Sequence, residues 1–94
     1  MKNILENATI LDVRTPDEFF GRHYPGAINI PLNELPQRLY EIKEMKQPIV
    51  AYCRSGNRSA MAVSLLKQNG FSNVYNGGAL GDLLQNKMTD VSLS

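Results

Sequence analysis

Residues 48–59 decide the fold, and they read PIVAYCRSGNRS. The apolar run from Pro48 to Tyr52 predicts the strongest strand of the chain, apolar enough to be central in a sheet and covered on both faces. The polar loop that follows contains Gly56, and a helix is predicted after it. Cys53 therefore lies where a buried strand ends and just before a helix begins. In open α/β sheets, this edge is where ligands bind.

The residues before this stretch alternate between strand-like and helix-like segments. Residues 9–13 (TILDV) and residues 27–30 (AINI) each predict a short strand. Between them, Thr15 can cap a helix that has Pro16 at its first position, and Glu18 completes a capping box. This alternation is typical of a parallel sheet whose strands are joined by crossover helices.

Two more helices are predicted, one before and one after the central strand along the chain. Asn33 is expected to cap the first, and Pro36 falls in its first turn, where a missing N–H costs little. Lys67 lies in the last turn of the second, and Gly70 follows its end. Helical spacing places apolar side chains on one face of each helix: Leu35, Leu39 and Ile42 in the first, and Met61, Ala62, Leu65 and Leu66 in the second.

The last part of the chain predicts one more strand and one more helix. Residues 73–75 (NVY) form the strand, and Gly77 with Gly78 is interpreted as a turn that leads into a short helix. Residues 87–94 show no pattern and are expected to fray. We therefore expect a single α/β domain over residues 1–94, with its core at about 9–86. Its central parallel sheet should have about four to five strands, with helices on both faces.

Composition and charge exclude several classes of function. The chain has 94 residues, 43% of them hydrophobic and 20% charged, and its formal net charge is +1 without a long run of Lys or Arg. Nothing therefore calls for a nucleic-acid groove, a membrane surface or a bilayer span. One Cys and one His are too few for a structural zinc site, and no cofactor is expected. The sole cysteine excludes an internal disulfide, which favours the cytoplasm, although a secreted form whose signal has been removed would look the same.

Cys53 is the strongest candidate for a chemical role. The free N–H groups and the dipole of the following helix favour a thiolate there, and Arg54 and Arg58 add two positive charges. Gly56 allows successive N–H groups to point inward as an anion-binding nest. A lone cysteine after a buried strand is more often a small core residue. The arginines, the glycine and the helix start favour a reactive thiol with a lowered pKa instead.

Three groups of residues, in order along the chain, resemble the motifs of the rhodanese-like domain family. The loop CRSGNRS, residues 53–59, resembles the active-site loop of rhodanese-type sulfurtransferases. Residues 11–14 (LDVR), followed by Glu18, Phe19 and residues 23–31 (HYPGAINIP), resemble the family's N-terminal signature. Residues 70–71 (GF), 73–75 (NVY) and 77–78 (GG) resemble its C-terminal one. The resemblance extends over residues 10–84.

The resemblance implies a sulfurtransferase that carries sulfur on Cys53. In the family, the cysteine takes sulfur from a donor such as thiosulfate, becomes a persulfide and passes the sulfur to a thiophilic acceptor, which is cyanide in assays or a cellular thiol. Arg58, together with Arg54, would attract the sulfonate end of thiosulfate. Asp12 would hold the loop through an arginine such as Arg54, and Arg14 would be structural. The persulfide would be cradled by the backbone N–H groups of Arg54, Ser55, Gly56, Asn57, Arg58 and Ser59.

Some residues depart from the family pattern without removing a catalytic group. Arg22 stands immediately before the signature His23, where the family often has Gly, and no Trp follows Gly78. The strand and helix that usually precede the LDVR motif are nearly absent, so a minimal version of the fold is expected. His23 is interpreted as an ordering residue of the turn before Gly26, because a thiolate needs no general base.

Three alternative functions stay open at this point. Cysteine phosphatases and arsenate reductases keep one residue more between Cys and Arg than the four that separate Cys53 from Arg58. The tighter loop suits a terminal sulfur better than a tetrahedral oxyanion. A second alternative is a regulatory rhodanese-like binding module, although inactive versions commonly lose the cysteine. The third is a persulfide carrier for a sulfur-accepting protein. Donor, acceptor and pathway carry no signal in the sequence, and a monomer is expected.

Overall fold

The computed structural model describes residues 4–86, which form four strands surrounded by short helices. In chain order the elements are a 3-10 helix at Ile4–Asn7, β1 at Thr9–Asp12, α1 at Pro16–Gly21, β2 at Ile28–Asn29, a second 3-10 helix at Leu32–Arg38, α2 at Leu39–Lys43, β3 at Ile49–Cys53, α3 at Asn57–Gln68, β4 at Val74–Ala79 and α4 at Leu80–Asn86. Within this range no helix is long and apolar enough to cross a membrane. The expected fraying of residues 87–94 lies outside the described residues.

The sheet places β3 in its interior, with strand order β2-β1-β3-β4 and every neighbouring pair parallel. All of β3 is buried, as expected for a central strand. Because side chains alternate along a strand, Ala51 and Cys53 join the core layer that contains Leu66 of α3. Tyr52 joins the opposite layer, which contains Leu83 of α4. Helices therefore cover both faces, which confirms the expected α/β architecture with a parallel sheet.

The start of α1 confirms the predicted capping box. The Thr15 hydroxyl accepts a hydrogen bond from the backbone N–H of Glu18 at 3.3 Å, and the Glu18 carboxylate accepts one from the backbone N–H of Thr15 at 3.0 Å. Pro16 occupies the first helical position, where its missing N–H has no partner to lose. These contacts hold Glu18 at a defined place beside the end of the sheet.

The predicted helix capped by Asn33 is wrong in its cap and in its type. The segment begins as a 3-10 helix with Pro31 at its N-cap and no side-chain cap, and it turns into α2 only at Leu39. Because the segment begins at Leu32, Pro36 is its fifth residue and not a first-turn residue, and without an N–H it cannot donate an α-helical bond to the carbonyl of Leu32. The predicted apolar face is nevertheless present: Leu35 and Ile42 are fully buried, and Leu39 packs against them.

The apolar face of α3 differs from the prediction at Met61. Its buried residues are Ser59, Ala62 and Leu66, and Leu65 packs beside them, whereas Met61 is 61% exposed. At 3.6 residues per turn, Met61 lies off the stripe formed by the other buried positions. The predicted helix end is confirmed, because the backbone N–H of Phe71 binds the carbonyl of Leu66 across Gly70 at 3.0 Å.

The glycine pair predicted as a turn lies inside β4 instead. Asn76 is opposite Ala51 and Gly78 is opposite Tyr52, so Gly77 forms a β-bulge between them. A Cβ atom on Gly77 would lie 2.8 Å from Val50 and 2.9 Å from Leu83, so only glycine fits without displacing core side chains. The predicted final helix follows directly, as α4. Directly before the bulge, the side chain of Asn76 reaches the loop after Cys53.

Candidate active site

Cys53 is the last residue of β3, and two backbone N–H donors and one hydroxyl from the next turn of the chain surround its sulfur. The backbone N–H of Gly56 donates to Sγ at 2.9 Å, and that of Ser59 donates at 3.4 Å. The Ser59 hydroxyl lies 3.5 Å from the same sulfur. Gly56 has φ +97°, a conformation that L side chains rarely adopt, and it is the N-cap of α3. The loop therefore curls around the sulfur and presents N–H groups to it.

The surroundings of Cys53 lower its pKa, as expected from the sequence. Burial raises the pKa of the thiol, since the side chain has no exposed surface. Hydrogen bonds from the hydroxyl of Ser59 and from the backbone N–H groups of Ser59, Ser55 and Gly56 outweigh burial, and the net pKa is lowered. These donors favour the thiolate, which is the nucleophilic form of cysteine.

Arg58 is joined to Glu18 in a contact that the sequence did not predict. The two guanidinium nitrogens Nη1 and Nη2 donate to the two carboxylate oxygens of Glu18 at 2.8 and 3.0 Å. Hydrogen bonds from Arg58 and from the backbone of Thr15 lower the pKa of Glu18 to about 2. The pair ties α1 to the first turn of α3. Arg58 also stays within electrostatic reach of Cys53.

The side chain of Asp12 forms hydrogen bonds with Arg14 and Tyr52, and not with Arg54 as predicted. Its buried carboxylate accepts hydrogen bonds from the backbone N–H of Arg14 at 2.9 Å, from Nη2 of Arg14 at 2.7 Å and from the hydroxyl of Tyr52 at 2.7 Å. Asp12 and Tyr52 are paired across β1 and β3, which brings the two side chains together. A buried carboxylate requires such partners. Because Arg14 and Tyr52 already donate to the carboxylate of Asp12, it needs no hydrogen bond from Arg54.

Arg54 lies beside an open cavity instead. Its side chain is exposed and makes no hydrogen bond or ion pair within residues 4–86. The cavity has a volume of about 370 Å³ and also borders on Arg14 and Arg22. Its remaining lining residues come from α1 and the start of α4: Asp17, Glu18, Gly21, Leu80 and Gly81. Arg54 is thus the guanidinium of the loop that is available to a ligand.

Asn76 of β4 also contacts the loop, and the sequence did not identify it. The hydroxyl of Ser59 lies 2.6 Å from Oδ1 of Asn76, and Nδ2 of Asn76 donates to the carbonyl of Gly56 at 3.2 Å. The available signal was a polar residue directly before Gly77 and Gly78. Asn76 pairs with Ala51 and lies two residues after Val74, so strand alternation places its side chain on the same face as Cys53.

The remaining candidate residues have simpler surroundings. Asn57 is exposed at the start of α3, and Ser55 is exposed in the loop. His23 stacks on Phe19 with ring centroids 3.9 Å apart, and its Nδ1 donates to the carbonyl of Phe19 at 2.8 Å. These contacts agree with an ordering role for His23. In the described part of the chain, no group of three or more His, Cys, Asp or Glu side chains could hold a metal ion.

Comparison with known proteins identifies similar chains. A family model described as a rhodanese-like domain matches residues 1–79. The chain is 46% identical over 69 residues to the uncharacterized protein YqhL of Bacillus subtilis, covering 73% of this chain and 54% of that one. It is 34% identical over 79 residues to the thiosulfate sulfurtransferase PspE of Escherichia coli, covering 83% and 76%. A solved structure of a rhodanese with anions from E. coli has a TM-score of 0.73 and 34% identity, covering 80% of this chain and 89% of that chain.

Proposed function

The chain belongs to the rhodanese-like domain family, and from this premise we propose that it is a sulfurtransferase that carries sulfane sulfur as a persulfide on Cys53. The observation that carries the proposal is the convergence of two backbone N–H donors on Cys53 Sγ at 2.9 and 3.4 Å, with the Ser59 hydroxyl 3.5 Å away. These groups stabilise a thiolate before sulfur is loaded and again when the acceptor removes it.

Loading of Cys53 is a displacement at the outer sulfur of the donor. The Cys53 thiolate attacks the sulfane sulfur of thiosulfate, forming the new S–S bond as the bond between the two thiosulfate sulfurs breaks. The electron pair of the broken bond leaves with sulfite. The product is a Cys53 persulfide anion, and no external oxidant or proton is required. Because the attacking sulfur is already held as its thiolate by the loop, no general base is needed.

In the release step, the outer sulfur of the persulfide passes to an acceptor and Cys53 becomes the leaving group. Cyanide, or the thiolate of a cellular thiol, attacks the outer sulfur of the persulfide, and the S–S bond to Cys53 breaks. The electron pair returns to Cys53 Sγ, where the N–H groups of Gly56 and Ser59 receive the charge. With cyanide the product is thiocyanate. With a thiol the product is a new persulfide on the acceptor, and the acceptor could equally be a cysteine of a sulfur-accepting protein.

The loop residues supply different parts of this chemistry. Backbone N–H groups from Arg54 to Ser59 form the cradle of the persulfide. The exposed guanidinium of Arg54 beside the cavity of about 370 Å³ attracts an anionic donor, and Arg58 contributes charge from its position against Glu18. Asp12 and Arg14 support the loop indirectly, because their buried pair fixes the ends of β1 and β3.

The setting we propose follows from the same chemistry. A reactive thiol that must remain reduced suits the cytoplasm. A sulfur donor, a thiol or cyanide acceptor and a monomeric chain are sufficient for both steps, without nucleic acid or membrane.

The proposed activity is tested by thiocyanate formation from thiosulfate and cyanide. The wild-type protein should form thiocyanate over many turnovers, and Cys53→Ser should fold normally and form none. Ser55→Ala is the matched control, because it removes an exposed hydroxyl from the same loop while keeping the backbone N–H. If Cys53→Ser retained most of the activity, the assigned mechanism would be wrong. A single turnover that stops until a protein acceptor is added would instead identify a persulfide carrier.

A further inference from the structure

The side-chain amide of Asn76 has only one orientation that satisfies its neighbours. The backbone N–H of Gly78 donates to Oδ1 of Asn76 at 2.9 Å, and the carbonyl of Gly56 accepts from Nδ2 at 3.2 Å. Turning the amide over would place its NH₂ group against the Gly78 N–H and its oxygen against the Gly56 carbonyl. Both contacts would then be repulsive. Oδ1 of Asn76 is therefore an acceptor on the side that faces Ser59.

Ser59 has one hydroxyl proton and three acceptors within reach. Its Oγ lies 2.6 Å from Asn76 Oδ1, 3.1 Å from the carbonyl of Gly56 and 3.5 Å from Cys53 Sγ. The contact with Asn76 is at the short end of the range for O–H···O bonds. Since Oδ1 of Asn76 can only accept, the Ser59 proton must supply that bond. A proton given to Asn76 is not available to the sulfur.

We propose that Asn76 is a positioning residue that competes with Cys53 for the hydroxyl proton of Ser59. This inference rests on the proposed function, because it concerns the protonation of the same sulfur. When Cys53 is a neutral thiol, or when a persulfide carries its charge on the outer sulfur, the proton stays on the side of Asn76. When the thiolate forms, the hydroxyl turns to the sulfur and gives up its bond to Asn76. Asn76 thereby limits how strongly Ser59 stabilises the thiolate.

Removing Asn76 has two effects of opposite sign, and they can be separated. Loss of Oδ1 frees the Ser59 proton for Cys53, which favours the thiolate. Loss of Nδ2 releases the carbonyl of Gly56 and loosens the loop whose N–H binds the sulfur, which disfavours it. Only the first effect requires the Ser59 hydroxyl. The effect of removing Asn76 should therefore depend on whether residue 59 carries a hydroxyl.

The other charged groups near Cys53 stay constant in this comparison. Arg54 and Arg58 lie on the loop and on α3, the paired Asp12 and Arg14 lie at the end of β1, and Asp82 of α4 approaches Gly78. None of them is altered when Asn76 or Ser59 is replaced. Their contribution to the titration of Cys53 cancels between variants.

The test is the rate of alkylation of Cys53 by iodoacetamide as a function of pH in four proteins: wild type, Asn76→Ala, Ser59→Ala and the double variant. At a pH below the wild-type midpoint, two rate ratios are compared: Asn76→Ala over wild type, and the double variant over Ser59→Ala. The first ratio should exceed the second by about threefold to tenfold, the equivalent of one neutral hydrogen bond. The pH profile of Asn76→Ala should shift toward acid only when Ser59 is present.

The result that overturns the proposal is an effect of Asn76→Ala that is equal in both backgrounds, whether it is zero, positive or negative. If Asn76→Ala does not fold, as shown by thermal melting, Asn76→Asp replaces it. It keeps an acceptor for Ser59 and Gly78 and should lower the alkylation rate more with Ser59 than with alanine at position 59. Equal lowering would also overturn the proposal. Alkylation requires no sulfur transfer, so a failure of the proposed function would appear separately, as absence of thiocyanate formation.

Discussion

The pair between Glu18 and Arg58 provides a test of how the loop is held, and the variant to make is Glu18→Gln. Glutamine keeps an oxygen that can accept from the backbone N–H of Thr15, but it loses the charge that binds the guanidinium. The side chains of Arg58 and Glu18 are 35% and 26% exposed, so solvent screens the pair substantially. A pair of this exposure with two parallel hydrogen bonds should contribute about 1 kcal/mol to the free energy of unfolding near neutral pH. In a domain of this size that corresponds to about 4–8 °C in the melting temperature.

The pH dependence of this contribution has a definite sign. The pKa of Glu18 is about 2 in the folded protein, below the ordinary value of 4.5. The contribution should therefore be fully present above pH 4.5 and should be lost as the pH falls toward 2, where the folded carboxylate takes up a proton. Urea unfolding of wild type and Glu18→Gln across this range should give curves that converge in acid.

A matched control separates this pair from the general loss of a surface charge. Glu34 forms an i,i+4 ion pair with Arg38 at 2.9 Å, and its side chain is 47% exposed. Glu34→Gln should lower the free energy of unfolding by less than about 0.5 kcal/mol. If Glu18→Gln behaved like Glu34→Gln, or if its deficit were the same at pH 2 and pH 7, the reasoning about the Glu18–Arg58 pair would be refuted.

Three further predictions concern the loop itself. Cys53 should be alkylated with a pH midpoint below the value of about 8.5 for a free thiol, because its pKa is lowered by the surrounding donors; a midpoint at or above it would show that the loop does not activate the sulfur. Arg54→Ala should weaken use of thiosulfate by about 1.5–3 kcal/mol, mainly through KM, because it removes the exposed guanidinium beside the cavity. Arg58→Ala should act mainly by lowering the melting temperature, since Arg58 is paired with Glu18; an unchanged KM for Arg54→Ala would contradict this assignment. Inserting one glycine after Gly56 should widen the loop and abolish sulfur transfer, and the unmodified protein should not hydrolyse aryl phosphates; robust phosphatase activity would contradict the argument from loop length.

Local signals in the sequence were sufficient for much of the fold. The capping box of Thr15 and Glu18, the buried strand before Cys53 and the helix stop at Gly70 depend on residues a few positions apart, and all three are present in the structure. The prediction failed where two local preferences compete. Asn33 is a good cap, but the helical segment begins earlier, at Leu32, and Pro36 then lacks an N–H that an α-helix from that start would need; a 3-10 helix forms instead.

The contacts around the candidate site could not be predicted because they join residues that are far apart in sequence. Glu18 and Arg58 are separated by 40 positions. The sequence had already assigned each of them another role, Glu18 in the capping box and Arg58 in attracting a sulfonate. Ser59 and Asn76 meet because Asn76 pairs with Ala51, which places its side chain on the face of the sheet that Cys53 and α3 share. For Asp12, the assignment to Arg54 failed because parallel pairing places Tyr52 beside it and the chain turns Arg14 back onto it.

Intact-protein mass spectrometry shows directly whether Cys53 itself carries the transferred sulfur. After incubation with thiosulfate and removal of excess donor, the wild-type protein should gain the mass of one sulfur atom, and Cys53→Ser should gain nothing. Adding cyanide or a thiol should return the wild-type protein to its original mass and produce thiocyanate or an acceptor persulfide. A wild-type protein that stays at its original mass with thiosulfate, or a Cys53→Ser variant that gains the same sulfur, would contradict the account.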